Sequence, residues 1–285
     1  MFASFLITFR EGLEAFLLVG IALSYLARLN ASRHNKFIYL GVGAGMLLSL
    51  VIAFVFQVII DQFSSEHYRN LLMAGILIFA TAVLSYMAIW MQGQAKAQVG
   101  RMQDSIKEHV TSGNLFGLVF LSFLAVLREG FETILFFSAL VYSGQGVTLE
   151  GGLIGGLLGL IASVVLVWAL LKSTKKVSLT PFFRWTSLLI IIIAAGLLSS
   201  AINMLQAAEY LPVFQTSVFD ISHILDDRGT FGTFLRALFG YNASPNLLPL
   251  IVWAGYLGLF IYFWNKGYAQ SSSPSSKNSS GANQA

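Results

Sequence analysis

Seven long apolar segments constrain this sequence more than any other feature. Each has about 20 or more mostly apolar residues, the length that an α-helix needs to cross the roughly 30 Å hydrocarbon core of a bilayer. The segments lie at about 2–27, 37–60, 70–91, 115–142, 149–171, 183–207 and 247–265. We therefore predict an all-α polytopic membrane protein with seven transmembrane helices, formed by one domain over residues 1–269.

The composition supports this class and excludes others. Charged residues make up 11% of the chain, less than half of the roughly 25% found in soluble domains. A soluble enzyme, a disordered protein and a nucleic-acid binder are therefore excluded. The chain has no cysteine, which excludes disulfides, thiolate metal sites and a cysteine nucleophile. The Ser-rich segment 270–285 is predicted to be a disordered polar tail.

Lysine and arginine in the loops predict the orientation in the membrane. Twelve of these residues fall after spans one, three and five or in the C-terminal tail, against three in the loops on the other side. Basic loops remain in the cytoplasm. We therefore expect the N-terminus outside the cell membrane and the C-terminus in the cytoplasm.

Spans one and four carry the same charged motif at an offset of 118 residues. Residues 10–14 read REGLE and residues 128–132 read REGFE, while Gly41 and Gly45 open span two as Gly151 and Gly155 open span five. Spans one to three (about 1–91) therefore resemble spans four to six (about 115–207), and span seven is an addition. Because three is odd, the two copies have opposite orientations. Such inverted repeats are typical of secondary transporters, whose sites lie near the bilayer midplane.

The charged motif is costly in a membrane. Three charges at the centre of a helix cost about 7–10 kcal/mol on insertion scales, whereas the 13 Leu, Ile, Val and Phe residues of span one return about 4–8 kcal/mol. Ionisable residues at this depth face a protein interior or a wet cavity and mark ion pathways. The motif therefore indicates a site inside the bundle, although an Arg–Glu lock between helices is the simpler structural reading.

The four motif glutamates are candidate metal ligands. Glu11, Glu14, Glu129 and Glu132 face two basic residues, Arg10 and Arg128, which leaves a formal charge of −2. An uncompensated buried charge binds either protons or a cation. Carboxylate oxygens suit hard cations, so we expect a multivalent metal ion, with the two arginines orienting the carboxylates and limiting their repulsion.

Two R-E-G-x-E motifs in spans one and four of a seven-span protein resemble the bacterial branch of the oxidase-dependent iron permease family. The resemblance implies high-affinity import of iron, usually described as ferric iron, with the motif glutamates as iron ligands. No ferroxidase domain is present in this sequence. The resemblance therefore implies a separate ferroxidase or periplasmic iron-delivery protein, and no resident cofactor.

Several alternatives remain open at this point. The chain is alternatively a carrier of another multivalent cation such as ferrous iron or lead, a proton-coupled carrier, or a metal sensor. A membrane di-metal carboxylate oxidase is a further alternative, but such sites normally add histidine ligands. All four histidines fall in predicted loops: His34, His67, His109 and His223.

Acidic residues near the predicted outer surface form a second candidate region. They include Glu209, at the end of span six, and the segment from Asp220 to Asp227. A concentration of negative charge at the mouth of a pathway attracts cations. The spacing within the segment fits either a short amphipathic helix or a metal-receiving patch made by Asp220, His223, Asp226 and Asp227.

Overall fold

The computed structural model of the chain describes residues 1–62, 65–144, 146–172, 180–227 and 229–272, except for the side chains of Asp61, Glu66, Thr180, Thr230 and residues 91–99 and 267–272. The last helix reaches Ser272, and the rest of the predicted polar tail lies outside the described residues. Lys175, Lys176, Arg228 and Lys277, which entered the topology count, also lie outside them.

Eight α-helices form within the described residues. Five segments are apolar and long enough to cross a membrane, namely Ser32–Ile60, His67–Trp90, Leu149–Lys172, Pro181–Ala207 and Leu247–Lys266. The chain is therefore an all-α multi-pass membrane protein. The helices are α1 Phe2–Arg28, α2 Asn35–Asp61, α3 Glu66–Thr111, α4 Leu115–Tyr142, α5 Leu149–Lys172, α6 Thr180–Ala207, α7 Thr230–Phe239 and α8 Leu247–Ser272.

The two helices that carry the charged motif, α1 and α4, contact each other and run antiparallel. Ala3 and Ile7, at the start of α1, share an apolar cluster with Leu140 at the end of α4. Leu26, near the end of α1, shares a second cluster with Leu118 at the start of α4. Around this pair, α1 packs against α5 and α4 against α2, while α3 packs against α6 and α8 covers α6 and α3.

Small residues allow α5 to approach α1 and α2 to approach α4. A Cβ atom at Gly155 would overlap Ser4, and a Cβ atom at Gly41 would overlap Ser122. Ser4 and Ser122 are 118 residues apart, the same offset as the two charged motifs. Residues 41–49 and 155–163 both read G-x-x-x-G-x-x-x-S, a spacing that brings helices close. The match that we expected between Gly41 and Gly151 is therefore shifted by about one helical turn, to Gly155.

The third helix is much longer than its apolar segment. The sequence predicts a loop after residue 91, but α3 continues to Thr111 and has 46 residues, or about 69 Å. Its second half is polar but amphipathic, and Met102 and Ile106, four residues apart, are buried against the ends of α1, α2 and α4. The loop prediction is wrong because this burial, and not membrane insertion, stabilises the extension.

The segment from Asp220 to Asp227 is not a helix in the structure, so that expectation is also wrong. The backbone N–H of Ser222 donates a 2.9 Å hydrogen bond to Asp220 Oδ1, a local turn that competes with helix formation. The chain makes turns here, and the short helix α7 begins only at Thr230. α7 ends at Phe239 and is capped by Gly240, whose φ of 67° is the left-handed conformation that favours glycine.

The outer faces of α2 and α5 consist of exposed apolar side chains. Leu47 and Phe54 on α2 are 67% and 70% exposed, and Leu157 on α5 is 60% exposed. Contiguous apolar surface of this extent marks contact with a membrane or another protein. The two helices thus form the flanks of the bundle, with the motif helices between them.

Candidate metal centre

Three of the four motif glutamates come together between α1 and α4. One carboxylate oxygen from each of Glu11, Glu14 and Glu129 lies within 4.8 Å of the other two. The three residues are 1%, 9% and 3% exposed. Glu11 and Glu14 lie near the same face of α1, because they are about 60° apart on a helix, and Glu129 approaches from α4. We name this set the three-glutamate group.

Arg10 links the two glutamates of its own helix. Its Nη1 atom lies 2.6 Å from Glu11 Oε1, and its Nη2 atom lies 3.1 Å from Glu14 Oε1. The side chain is 1% exposed. The planar guanidinium can meet two carboxylates at once, so Arg10 fixes the positions of the two α1 glutamates relative to each other.

The second motif is arranged differently, although its sequence is nearly the same. Arg128 Nε lies 3.0 Å from Glu132 Oε1, and the Arg128 side chain is 40% exposed. Its guanidinium carbon lies 5.6 Å from the centre of the Trp90 ring on α3, within the range of a cation–π interaction. Glu132 is buried but lies outside the three-glutamate group. The two arginines that the sequence treats as equivalent therefore have different environments.

The three-glutamate group carries an unbalanced negative charge. Among the described residues, Arg10 is the basic side chain in ion-pair contact with the group, so the group and Arg10 together have a formal charge of −2. Arg128 forms its ion pair with Glu132. Glu11 Oε2 and Glu129 Oε2 are buried and have no hydrogen-bond partner in the part of the chain that the structure describes. A buried acceptor without a partner is costly, so these oxygens are positioned to accept a cation.

The dimensions of the group suit one metal ion. Two oxygens on opposite sides of an octahedral ion are about 4.2 Å apart at a metal–oxygen distance near 2.1 Å. Neighbouring oxygens on the same ion are about 3.0 Å apart at that distance. Three oxygens within 4.8 Å of one another therefore need inward side-chain movements of up to about 1 Å each to share one ion. The geometry therefore permits shared coordination by α1 and α4.

The central glycine of each motif allows a serine from a flanking helix to approach. A Cβ atom at Gly12 would overlap Ser163 of α5, and a Cβ atom at Gly130 would overlap Ser49 of α2. Both serines donate hydrogen bonds to their own helices, to Leu160 O and to Gly45 O. These serines and Trp90 were not among the residues predicted from the sequence. The repeated G-x-x-x-G-x-x-x-S spacing is the signal that identifies the serines.

The predicted outer approach residues are not assembled into a site. Glu209, Asp220, His223 and Asp226 are exposed, while Asp227 Oδ2 lies 3.7 Å from Arg236 Nη1. Hydrogen bonds from Ser222 hold the pKa of Asp220 below its ordinary value. Among the described residues, these side chains form no group of three with ligand atoms close together.

The histidines do not approach the three-glutamate group. The structure places His34 in the turn before α2, His67 at the start of α3, His109 near the end of α3 and His223 in the loop before α7. The ligand set of a histidine-containing di-metal oxidase is therefore not assembled at this site by the described residues.

Comparisons with known proteins agree with the motifs. Residues 1–269 match the iron permease FTR1 family. A Yersinia pestis protein named Ferrous iron permease EfeU is 34% identical over 267 residues, covering 92% of this chain and 93% of that protein. A protein of the same name from Escherichia coli O6:H1 is 32% identical over 259 residues, covering 90% and 92%. No solved structure matches the chain. The chain belongs to the iron permease FTR1 family and is a transporter rather than an enzyme.

Proposed function

We propose that this protein imports iron across the cytoplasmic membrane through the three-glutamate group. The observation that carries the proposal is the meeting of Glu11, Glu14 and Glu129, from two antiparallel helices, around a buried formal charge of −2. A purely structural Arg–Glu ion pair between helices would need one carboxylate for each arginine. Here three carboxylates lie together, and Arg10 contacts two of them. Membership of an iron permease family supports iron as the substrate.

We further propose that the ion in the buried group is ferrous. A divalent ion cancels the formal charge of −2, whereas a trivalent ion leaves a charge of +1 in a site where uncompensated charge is costly. The name of the relatives, Ferrous iron permease EfeU, supports the same choice. The sequence resemblance favours ferric iron, and that expectation becomes the competing outcome of the test.

Seven spans and an inverted repeat complete the proposal. α1 and α4 have 27 and 28 residues, enough to cross the membrane. Their motif glutamates and Arg10 are buried inside the protein. With the five apolar segments, α1 and α4 give seven spans, of which 1–91 and 115–207 form two oppositely oriented repeats. The basic loops place the N-terminus outside and the C-terminus in the cytoplasm.

The orientation can be tested by cysteine labelling. The chain has no cysteine of its own, so an exposed cysteine in Ser32→Cys is a unique target. We expect it to react with a membrane-impermeant maleimide only after the cells are opened. Reaction in intact cells would contradict the proposed orientation.

The proposed permease has no resident cofactor, and iron is its cargo. A periplasmic iron-delivery protein is the proposed partner for ferrous iron. A separate ferroxidase belongs to the competing outcome, in which the transported ion is ferric. The membrane potential can drive the import, since each charge gains about 2.3 kcal/mol per 100 mV.

Uptake of radioactive iron tests the function. Wild-type protein, Glu129→Gln or the control Glu150→Gln is reconstituted into liposomes. The control makes the same change at an exposed glutamate in the first turn of α5. We expect Glu129→Gln to abolish uptake and Glu150→Gln to preserve it. Uptake by Glu129→Gln at the wild-type rate would remove this glutamate from the pathway.

The same assay separates the two oxidation states. Iron is supplied either with ascorbate, which keeps it ferrous, or as ferric citrate. The proposal expects uptake with ascorbate, and inhibition by an impermeant ferrous chelator. Uptake from ferric citrate that continues at the same rate in the presence of this chelator would show that ferric iron is the substrate.

A further inference from the structure

A polar cavity lies where α4, α6 and α7 end. Its volume is about 260 Å³, and we name it the helix-end cavity. It is separate from the three-glutamate group, because Ser143 in its wall follows Glu129 by 14 residues along the axis of α4, or about 21 Å. The polar residues that line it include Asn70, Ser143, Ser200, Asn203, Arg236 and Asn242.

The backbone makes this cavity favourable for a cation. The C-terminal ends of α4, α6 and α7 all contribute to its wall, and each helix C-terminus carries about half a negative charge. Among the described lining residues, α3 is the one helix that contributes its N-terminal part, through Asn70. The guanidinium of Arg236 lies 3.7 Å from the carboxylate of Asp227, which offsets part of its charge.

The side chains suit an ion that keeps its water. The lining offers amide and hydroxyl oxygens and no carboxylate. Within the described part of the chain, the side-chain amides of Asn70 and Asn203 make no hydrogen bond. An octahedral shell of about six waters occupies about 180 Å³ at 30 Å³ each, which fits this cavity. Small divalent ions lose water reluctantly and often bind with part of their shell retained.

An apolar barrier separates the cavity from the glutamates. On α4, the residues between Glu132 and Ser143 include Leu135, Phe136 and Leu140, which are at most 5% exposed and belong to the main apolar cluster. Apolar packing therefore lies along α4 between the cavity and the three-glutamate group.

We propose that the helix-end cavity is a binding site for a hydrated divalent cation, which holds the incoming ion before it loses water at the glutamates. The inference rests on the proposed function, because it adds a first binding step to the same pathway. It assigns a role to the amides of Asn70 and Asn203 as acceptors for water on the ion.

Charge substitution tests the role in transport. Asn203→Asp adds a charge without changing the shape of the side chain, and it should lower the KM for iron uptake by about three- to tenfold, since the charge would lie about 6 Å from the ion in a water-like medium. Asn30→Asp, an exposed position at the opposite end, should leave KM unchanged. An unchanged KM in folded Asn203→Asp overturns the inference. The proposed function survives that result if Glu129→Gln still abolishes uptake.

Direct binding provides a second test that does not depend on transport. A nitroxide is attached either to Ala207→Cys, in the cavity wall, or to Ser32→Cys, at the other end of the bundle. Both proteins also carry Glu11→Gln and Glu129→Gln, which remove two carboxylates of the three-glutamate group. Mn²⁺ should broaden the nitroxide spectrum at 207 more than at 32, and Asn203→Leu should remove the difference. Equal broadening at both positions, or no effect of Asn203→Leu, overturns the inference.

Discussion

Replacing each motif arginine by lysine tests the unequal roles that the structure gives them. Arg10 contacts Glu11 at 2.6 Å and Glu14 at 3.1 Å, and a lysine ammonium cannot take both positions. Arg10→Lys therefore loses one interaction between charged groups in a buried site, worth about 1.5–3 kcal/mol. If this energy positions the ligands for the ion, kcat/KM for iron uptake falls by about 10- to 150-fold.

Arg128→Lys is the matched control that the repeat itself supplies. Arg128 contacts one carboxylate, that of Glu132, and its side chain is 40% exposed. Exposed ion pairs contribute about 0.2–1 kcal/mol, so the loss in kcat/KM should stay below about fivefold. The substitution conserves charge in both variants. The two positions differ in the number of contacted carboxylates, in burial and in the contact of Arg128 with Trp90.

Initial rates of radioactive iron uptake in proteoliposomes, over a range of iron concentrations, give kcat/KM for both variants. The rates are normalised to the amount of folded protein, which size-exclusion chromatography measures. A large loss for Arg10→Lys and a small one for Arg128→Lys supports the reasoning. Equal losses would refute it, because the two arginines would then act only through their charge.

Three further substitutions test the packing of the helices. Gly12→Ala should lower thermal stability, because its Cβ would overlap α5 and overpacking costs about 1–3 kcal/mol; Gly43→Ala, which meets open space, should not, and an equal loss would contradict this. Tyr256→Phe removes the buried 2.6 Å hydrogen bond to Ser85 and should cost about 1 kcal/mol in denaturant titration, where an unchanged midpoint is the opposing result. Asn114→Ala removes the acceptor for Gly117 N–H at the start of α4 and should cost about 1 kcal/mol in the same titration, with uptake per folded molecule unchanged.

The helices and the meeting of the two motifs could be predicted because both depend on local signals. A long apolar segment has few options in a membrane other than a helix, and charged residues inside such a segment must face protein or water. The matching motifs then require only that α1 and α4 be neighbours. These arguments led to the four motif glutamates as a set. The structure brings Glu11, Glu14 and Glu129 together, and Glu132 pairs with Arg128 instead.

The features that could not be predicted depend on contacts between distant segments. Arg128 differs from Arg10 because Trp90, on another helix, lies beside it, and the motif sequence contains no trace of that neighbour. Similarly, the extension of α3 is stabilised where Met102 and Ile106 meet three other helices. Neither residue lies in an apolar segment long enough for a membrane span to be predicted from it.

The antiparallel pairing of the motif helices also bears on how an ion leaves. α1 packs closely on α5 and α4 packs closely on α2, so each motif helix belongs to a different two-helix unit. Glu11 and Glu14 are held by one unit and Glu129 by the other. Under the proposed function, a tilt that separates the two units would draw the Glu129 carboxylate away from those of Glu11 and Glu14. Release of the ion would then need a few ångströms of movement and no chemical change in the glutamates.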